Sequence, residues 1–250
     1  RYAMNRGVLH LTKAGEAGTE SNRIQKAKAF SAYAQYQFEY GKWKVIPGIR
    51  YENIQFDKTD YGKEDIDRNG TDAKETENKN QVLLPGLGVS YYATDNWIFI
   101  GGTHRGFSPA GFTPEAQAES SLNYEAGFRY RKKSARASVI GFYSDYQNLL
   151  GADNVSAGGT GSGEQYNGGQ ARAYGAEAML SYSPVQNVTD KFALPIGINY
   201  TYTQAQFLTA FDSEFDGWGN VKAQDDLPYI PRARTTPPTS GLTTIRSSSP

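Results

Sequence analysis

The chain contains no cysteine, which excludes disulfide staples and thiolate metal sites and leaves every compartment open. It has no run of eighteen apolar residues and its mean hydropathy is −0.63, which excludes a transmembrane helix. Its 26 basic and 26 acidic residues cancel, so charge gives no reason to expect nucleic acid or an anionic surface as a partner. A chain of 250 residues can nonetheless bury a full core. Low hydropathy does not exclude a membrane barrel. Only alternate side chains of a barrel strand meet lipid, so strands averaged with polar loops stay hydrophilic.

The chain is rich in tyrosine, with 18 residues in an aromatic fraction of 13%, which suits the belts at membrane–water boundaries. Successive strand side chains point to opposite faces. Over 192–202 the even positions are Phe192, Leu194, Ile196, Ile198, Tyr200 and Tyr202, and the odd ones are small or polar. Leu122, Tyr124, Ala126, Phe128 and Tyr130 oppose Ser121, Asn123, Glu125, Gly127 and Arg129 in the same way. Phe30, Tyr36, Phe38 and Tyr40 oppose Ser31, Gln35, Gln37 and Glu39, while Trp43, Val45, Pro47, Ile49 and Tyr51 oppose Lys44, Arg50 and Glu52. Residues 81–92, 97–107 and 135–148 separate less cleanly. An arginine against lipid at mid-depth costs about 2–4 kcal/mol, so the charged parity must look into a wet interior.

A sandwich buried on one side would alternate too; connections and lengths decide between them. Tyr40-Gly41-Lys42, Thr94-Asp95-Asn96 and Arg131-Lys132-Lys133-Ser134 are short, whereas 57–80, 108–120, 151–165 and 208–226 are long. Tight turns on one edge and extended loops on the other belong to barrels of the bacterial outer membrane. Several runs exceed about ten residues, enough to cross a bilayer at barrel tilt, where soluble strands usually have about five or six. The expected fold is an all-β, antiparallel transmembrane β-barrel segment. It has about eight strands between residues 28 and 230 and a partial one near Gly7 to Thr12. The first segments read as mid-barrel, so the chain is expected to be a fragment. Thr235 to Pro250 is rich in Ser, Thr and Pro without periodicity, giving an expected division into 1–232, barrel, and 233–250, a disordered or non-native tail.

Six stretches together resemble TonB-dependent outer-membrane receptors, the ferric-dicitrate type among them. They are Trp43 to Glu52; Arg105-Gly106-Phe107-Ser108-Pro109 with Asn123 to Tyr130; Gly141 to Leu150; Asn167 through Glu177; Asn199-Tyr200-Thr201-Tyr202; and Leu227 to Arg232. Each is weak alone; in this order and at this spacing they are specific. The resemblance implies a 22-stranded barrel plugged by an N-terminal domain, importing a scarce Fe(III) chelate, a siderophore or ferric citrate. It implies energy relayed by the TonB–ExbB–ExbD complex, outer-membrane lipid as surroundings, no cofactor, no nucleic acid and no enzymatic activity. It covers the chain up to Arg232 and the later-middle part of the family barrel, so the plug is expected to be missing from this chain.

Candidate sites follow. Asp65, Asp67 and Asn69 precede Gly70 at the spacing of a calcium loop, but position twelve is Thr76 rather than a carboxylate, and a solvated charged loop fits as well. The glycine-rich run 158–163 lacks the lysine and following helix of a phosphate cradle. His10 and His104 have no partners at metal-ligand spacing, and no Ser-His-Asp set can be assembled. The Asn154 and Asn187 sequons are chance matches in a bacterial outer-membrane setting. A citrate-like ferric chelate is an anion, which arginines hold bidentately. Arg105 and Arg172, at strand ends beside long loops, with Gln165, Tyr166 and Gln170 nearby, are the expected ligand contacts. Arg50, Glu52, Glu125, Arg129 and Glu177 are expected as structural residues of the lumen. A passive pore or small structural barrel is the alternative to an energised receptor.

Overall fold

The computed structural model describes residues 2–11, 21–152, 165–183, 196–212, 220–227 and 233–236. In chain order the strands are β1 Tyr2–Asn5, β2 Val8–Leu11, β3 Arg23–Gln35, β4 Phe38–Tyr40, β5 Trp43–Asp60, β6 Lys74–Tyr92, β7 Trp97–Ser108 and β8 Glu119–Lys132. They continue with β9 Ala135–Gln147, β10 Leu150–Ala152, β11 Gln165–Asn167, β12 Ala171–Tyr182, β13 Ile196–Phe207, β14 Phe211–Asp212, β15 Asn220–Val221 and β16 Ala233–Thr236. Ten of them form one antiparallel sheet in the order β16-β13-β12-β9-β8-β7-β6-β5-β3, with β4 also on β5. Neighbours in sequence are neighbours in space, as in an up-and-down barrel wall. The partial strand expected near Gly7 is one arm of the separate hairpin β1–β2.

β3 and β4 keep one register against β5, Gln35 opposite Gly48 and Phe38 opposite Val45. The break between them lies opposite Pro47. Tyr36 donates its amide to the Pro47 carbonyl at 3.1 Å, and the proline nitrogen has no hydrogen to return.

Residues directly opposite in antiparallel strands share a face. Phe30, Asn53 and Gln81 therefore lie on one face, as do Ile49 and Pro85, Trp97 and Tyr130, Phe128 and Val139, and Leu180 and Ile198. This face carries Phe30, Phe38, Trp43, Leu83, Phe99, Leu122, Val139, Leu180, Ile196 and Ile198, all exposed. No second sheet or helix covers it among the described residues; Phe192 and Leu194 lie outside them. Ile198 is 48% exposed, so the alternation reflects an apolar face left open and not half of a sandwich. The opposite face carries Gln35, Arg50, Glu52, His104, Glu125, Arg129, Glu177 and Thr201. Along the middle of the sheet charges and apolar groups are thus sorted by register, whereas toward the long-loop edge charged residues such as Lys26 and Asp57 fall on the apolar side as well.

Three features differ from the sequence reading. β5 and β6 run to Asp60 and from Lys74, so both ends of the expected 57–80 loop are paired strand; their charged side chains hide the strand period. Tyr182 and Ile196 pair at the edge of short turns, yet 13 residues separate them in the sequence. Finally, Ala233–Thr236 pairs with Asn199–Tyr202 of β13, within the first residues of the segment 233–250 expected to be a disordered or non-native tail. Phe207 donates to Asp225 and Leu227 to Ala205 at 2.9 Å each, so 225–227 already follows the same edge of β13. A four-residue edge strand takes its order from its neighbour and shows no period of its own.

Candidate functional site

Conventional burial is concentrated at the long-loop edge. Ala171, Phe207 and Val221 are buried together, with Tyr146, Leu149, Phe211 and Leu227 packed around them. Ala171 lies opposite both Phe207 and Tyr146, so this cluster sits on the polar face of the sheet, where residues 220–227 fold over β12 and β13. The β7–β8 loop does the same over β5 and β6. Phe112 meets Phe56 edge-on at 5.1 Å, and Asn78 donates its amide to the carbonyls of Gly111 at 3.0 Å and Thr113 at 3.4 Å.

Three asparagines bind this edge together. Asn22, 5% exposed, donates to the carbonyls of Gly62 and Asp65 at 3.0 and 2.6 Å and accepts from Arg68 Nε at 2.9 Å. Asn78 holds the β7–β8 loop, and Asn167 joins Gln117 to the Asn148 carbonyl. An asparagine supplies a donor and an acceptor on one short rigid arm, which lets it complete main-chain hydrogen bonds where two loops meet without a ladder.

The β6–β7 boundary forks at this edge. Tyr92 donates to the Lys42 carbonyl at 2.8 Å, so the even residues of β6 bond β5 and the odd ones point toward β7. Pairing with β7 begins at Gly86 opposite His104, one residue past Pro85, whose nitrogen would face β7 and has no hydrogen. Below the fork the polar face is smooth: Gly48 lies opposite Gly86 and Gly88 opposite Gly102. Gln35, Ile46, His104 and Glu125 border this patch around a concavity of about 460 Å³. At the loop edge Lys58, Asp60, Lys74, Glu115 and Phe112 line a second concavity of about 550 Å³.

Of the residues singled out by sequence, the five expected in the lumen share the polar face, and Arg50 Nε lies 2.6 Å from Glu52 Oε1. Arg105 and Arg172 are placed differently. Arg105 lies opposite Leu122, Leu122 opposite Asp145, Asp145 opposite Arg172, and Arg172 opposite Gln206. This row belongs to the apolar face, so the two arginines do not converge on the mouth. The β9–β12 connection hides parity at Arg172, and only pairing reveals it. Gln165 and Tyr166 pair with Ala152 and Gly151 in a small hairpin, and Gln170 donates its amide to Thr209 Oγ1 at 2.9 Å.

Asp65 turns both carboxylate oxygens to its own loop, accepting the amides of Asn69 at 2.8 Å and Gly70 at 2.7 Å. Asp67 is exposed, and no three His, Cys, Asp or Glu side chains converge among the described residues. Asp65 thereby holds the turn that carries Asn69 and Gly70. His10 is exposed on the separate hairpin. The glycine run 158–163 and the Asn154 and Asn187 sequons lie outside the described residues. Sequence reasoning missed Asn22, Asn78 and Asn167, since a lone asparagine carries no periodic signal.

A single antiparallel sheet with an uncovered apolar face, a charged opposite face and loops folded over that second face is the wall of a transmembrane β-barrel. The model of the TonB dependent receptor-like β-barrel matches residues 6–243. The chain belongs to that family, whose members reside in the bacterial outer membrane. Solved structures share the fold. The ferric yersiniabactin uptake receptor FyuA from Yersinia pestis is 18% identical with a TM-score of 0.61, over 85% of this chain and 31% of that one. The unliganded ferric citrate transporter FecA is 19% identical with a TM-score of 0.64, over 92% and 32%. The siderophore receptor PiuA from Acinetobacter baumannii is 15% identical with a TM-score of 0.64, over 85% and 31%. The chain thus spans about a third of the length of these proteins.

Proposed function

We propose that the protein carrying this chain imports an Fe(III) chelate, a siderophore or ferric citrate, across the outer membrane. Transport is energised by the TonB–ExbB–ExbD complex through a plug domain, and this chain forms one sector of the barrel wall. The observation that carries the reading is the polar face with loops bent over its outer end: Phe112 on Phe56 at one side and the 220–227 segment on Phe207 at the other. Loops that bend over the polar face narrow the mouth through which a chelate arrives. Lys58 and Lys74 line the concavity beside Phe112 together with Asp60, Glu75, Glu77 and Glu115, so this part of the mouth is polar and mixed in charge, with Gln165, Tyr166 and Gln170 on the neighbouring loop as the candidate ligand contacts. Arg105 and Arg172 are left out of this contact set because of the face they occupy.

The test is a titration of the purified full-length receptor with ferric citrate and with free citrate. Tight binding of the iron complex alone is expected, and equal affinity for both would overturn the citrate reading. Uptake that persists in cells lacking TonB would instead select a passive pore.

A further inference from the structure

The polar face carries a second charged feature at its short-turn end, which faces the periplasm in this architecture. Arg131 lies directly opposite Arg136 where β8 turns into β9, and Arg129 stands two residues before Arg131 on the same face. Side chains opposed in this way have Cβ atoms about 5 Å apart, and like charges there repel. Among the described residues the three arginines form no ion pair. Asp95, exposed on the β6–β7 turn, pairs with none of them. Glu125 faces the same side four residues up β8 from Arg129, roughly 13 Å at the rise of a strand, and Glu177 stands two strands away on β12.

These arginines border a concavity of about 410 Å³ together with Tyr92, Asp95, Ile98, Ser138 and Met179, within the roughly 300–1,000 Å³ of small-molecule sites. Tyr92, Ile98, Arg129, Ser138 and Met179 form one cross-strand row of that face. The Arg131 amide donates to the Asn96 carbonyl at 2.9 Å, which ties the end of β8 to the β6–β7 turn. The cradle is therefore built into the wall.

From the mouth side down to this cradle the same face is nearly bare along β6, where Gly86, Gly88 and Ser90 precede Tyr92. The wall itself does not demand glycine here. A Cβ at Gly48 would meet Ala34 O at 3.8 Å and one at Gly88 would meet Ile46 O at 3.9 Å, both ordinary contacts on a backbone outside the left-handed region. Glycine inside a strand costs stability relative to alanine, so the strip is explained by what passes close in front of it.

We propose that the arginine cradle is an exit station for the imported anion. A carboxylate-bearing ferric chelate descends along the glycine strip and rests on Arg129, Arg131 and Arg136 before it leaves for the periplasm; this rests on the import reading above. Opposed guanidinium forks suit paired carboxylates, and an anion between them replaces repulsion by attraction. All three arginines are exposed, so water competes and the hold stays weak. Weakness suits a passage, since a transit site must bind enough to be entered and little enough to be left. A carboxylate of the plug is the competing occupant, and it would hold the arginines permanently.

In the purified full-length receptor in detergent both mouths meet solvent. Ser181, opposite Arg136 on β12, is replaced by Ser181→Cys to carry a trifluoromethyl tag read by fluorine NMR. Ferric citrate should broaden the line through its paramagnetic iron, saturating with a Kd of about 1 mM, and diamagnetic gallium citrate should leave it sharp. Arg131→Gln with Arg136→Gln should weaken the response about tenfold, while Arg131→Lys with Arg136→Lys should retain most of it. Binding at the outer mouth should be the same in every variant. In cells the glutamine pair should lower maximal uptake several-fold at an unchanged half-saturating concentration. Broadening without binding at the mouth would confirm the cradle as an anion site and overturn the citrate reading alone. No broadening, or equal broadening in the glutamine pair, would show the arginines held by the plug or idle, and would overturn the exit station.

Discussion

Asn167 clasps the main chain of Gln117 with both ends of its amide: Nδ2 donates to the Gln117 carbonyl at 2.8 Å, and Oδ1 accepts from the Gln117 amide at 2.7 Å. The pair imitates one rung of a β-ladder between loops 50 residues apart in sequence. Asn167→Ala removes both bonds and the one to Asn148. The loop edge should lose about 1–3 kcal/mol of local stability. Hydrogen exchange at the Gln117 amide should accelerate by one to two orders of magnitude, roughly, while amides within β8 keep their protection.

Opposite faces should tolerate charge differently. Val139 is exposed on the apolar face, whereas Thr201 lies opposite Glu177 on the polar one. Val139→Arg is expected to cost about 2–4 kcal/mol of folding stability in lipid if the residue sits at mid-depth, and less nearer the boundary. Thr201→Arg places a guanidinium beside a carboxylate and should change stability by under about 1 kcal/mol. Reversible folding titrations in vesicles measure both, and equal costs would contradict the assignment of faces.

The fork at Pro85 makes a backbone prediction. Pro85→Ala restores a donor aimed at β7, across from Arg105. Pairing should then extend one step beyond Gly86 and His104, seen as a slowly exchanging amide at position 85. A freely exchanging amide there would show that the β7–β8 loop, and not the missing hydrogen, parts the strands.

Phe207 is 2% exposed in the loop-edge cluster. Phe207→Ala should remove about 3–5 kcal/mol of packing, expressed locally as faster exchange at Leu208 and Leu227, whose amides donate to Gln170 and Ala205. The strand amides of β8 and β9 should be spared, since the sheet does not rest on this cluster.

Legibility in the sequence followed how local each signal was. Phe30 to Tyr40 and Leu122 to Tyr130 show their faces because side chains alternate along one segment. The β5–β6 extension past Asp57 was hidden, because neither side of that hairpin meets a continuous apolar medium and its residues need not alternate. Arg105 and Arg172 looked like mouth residues from their position beside long loops. Their facing depends on which residue of the next strand they oppose, and a one-residue change of register reverses it.

The order of amino acids alone determined that this is a strand-built membrane wall, with its short-turn and long-loop edges, because hydrocarbon and water impose their alternation on each strand separately. Tertiary structure decided everything that lies between strands: the asparagine clasps, the fork beside Pro85, the edge strand at Ala233–Thr236 and the outward turn of Arg172. These are contacts between residues far apart in the chain, and their geometry exists only once the neighbouring strand has set the register.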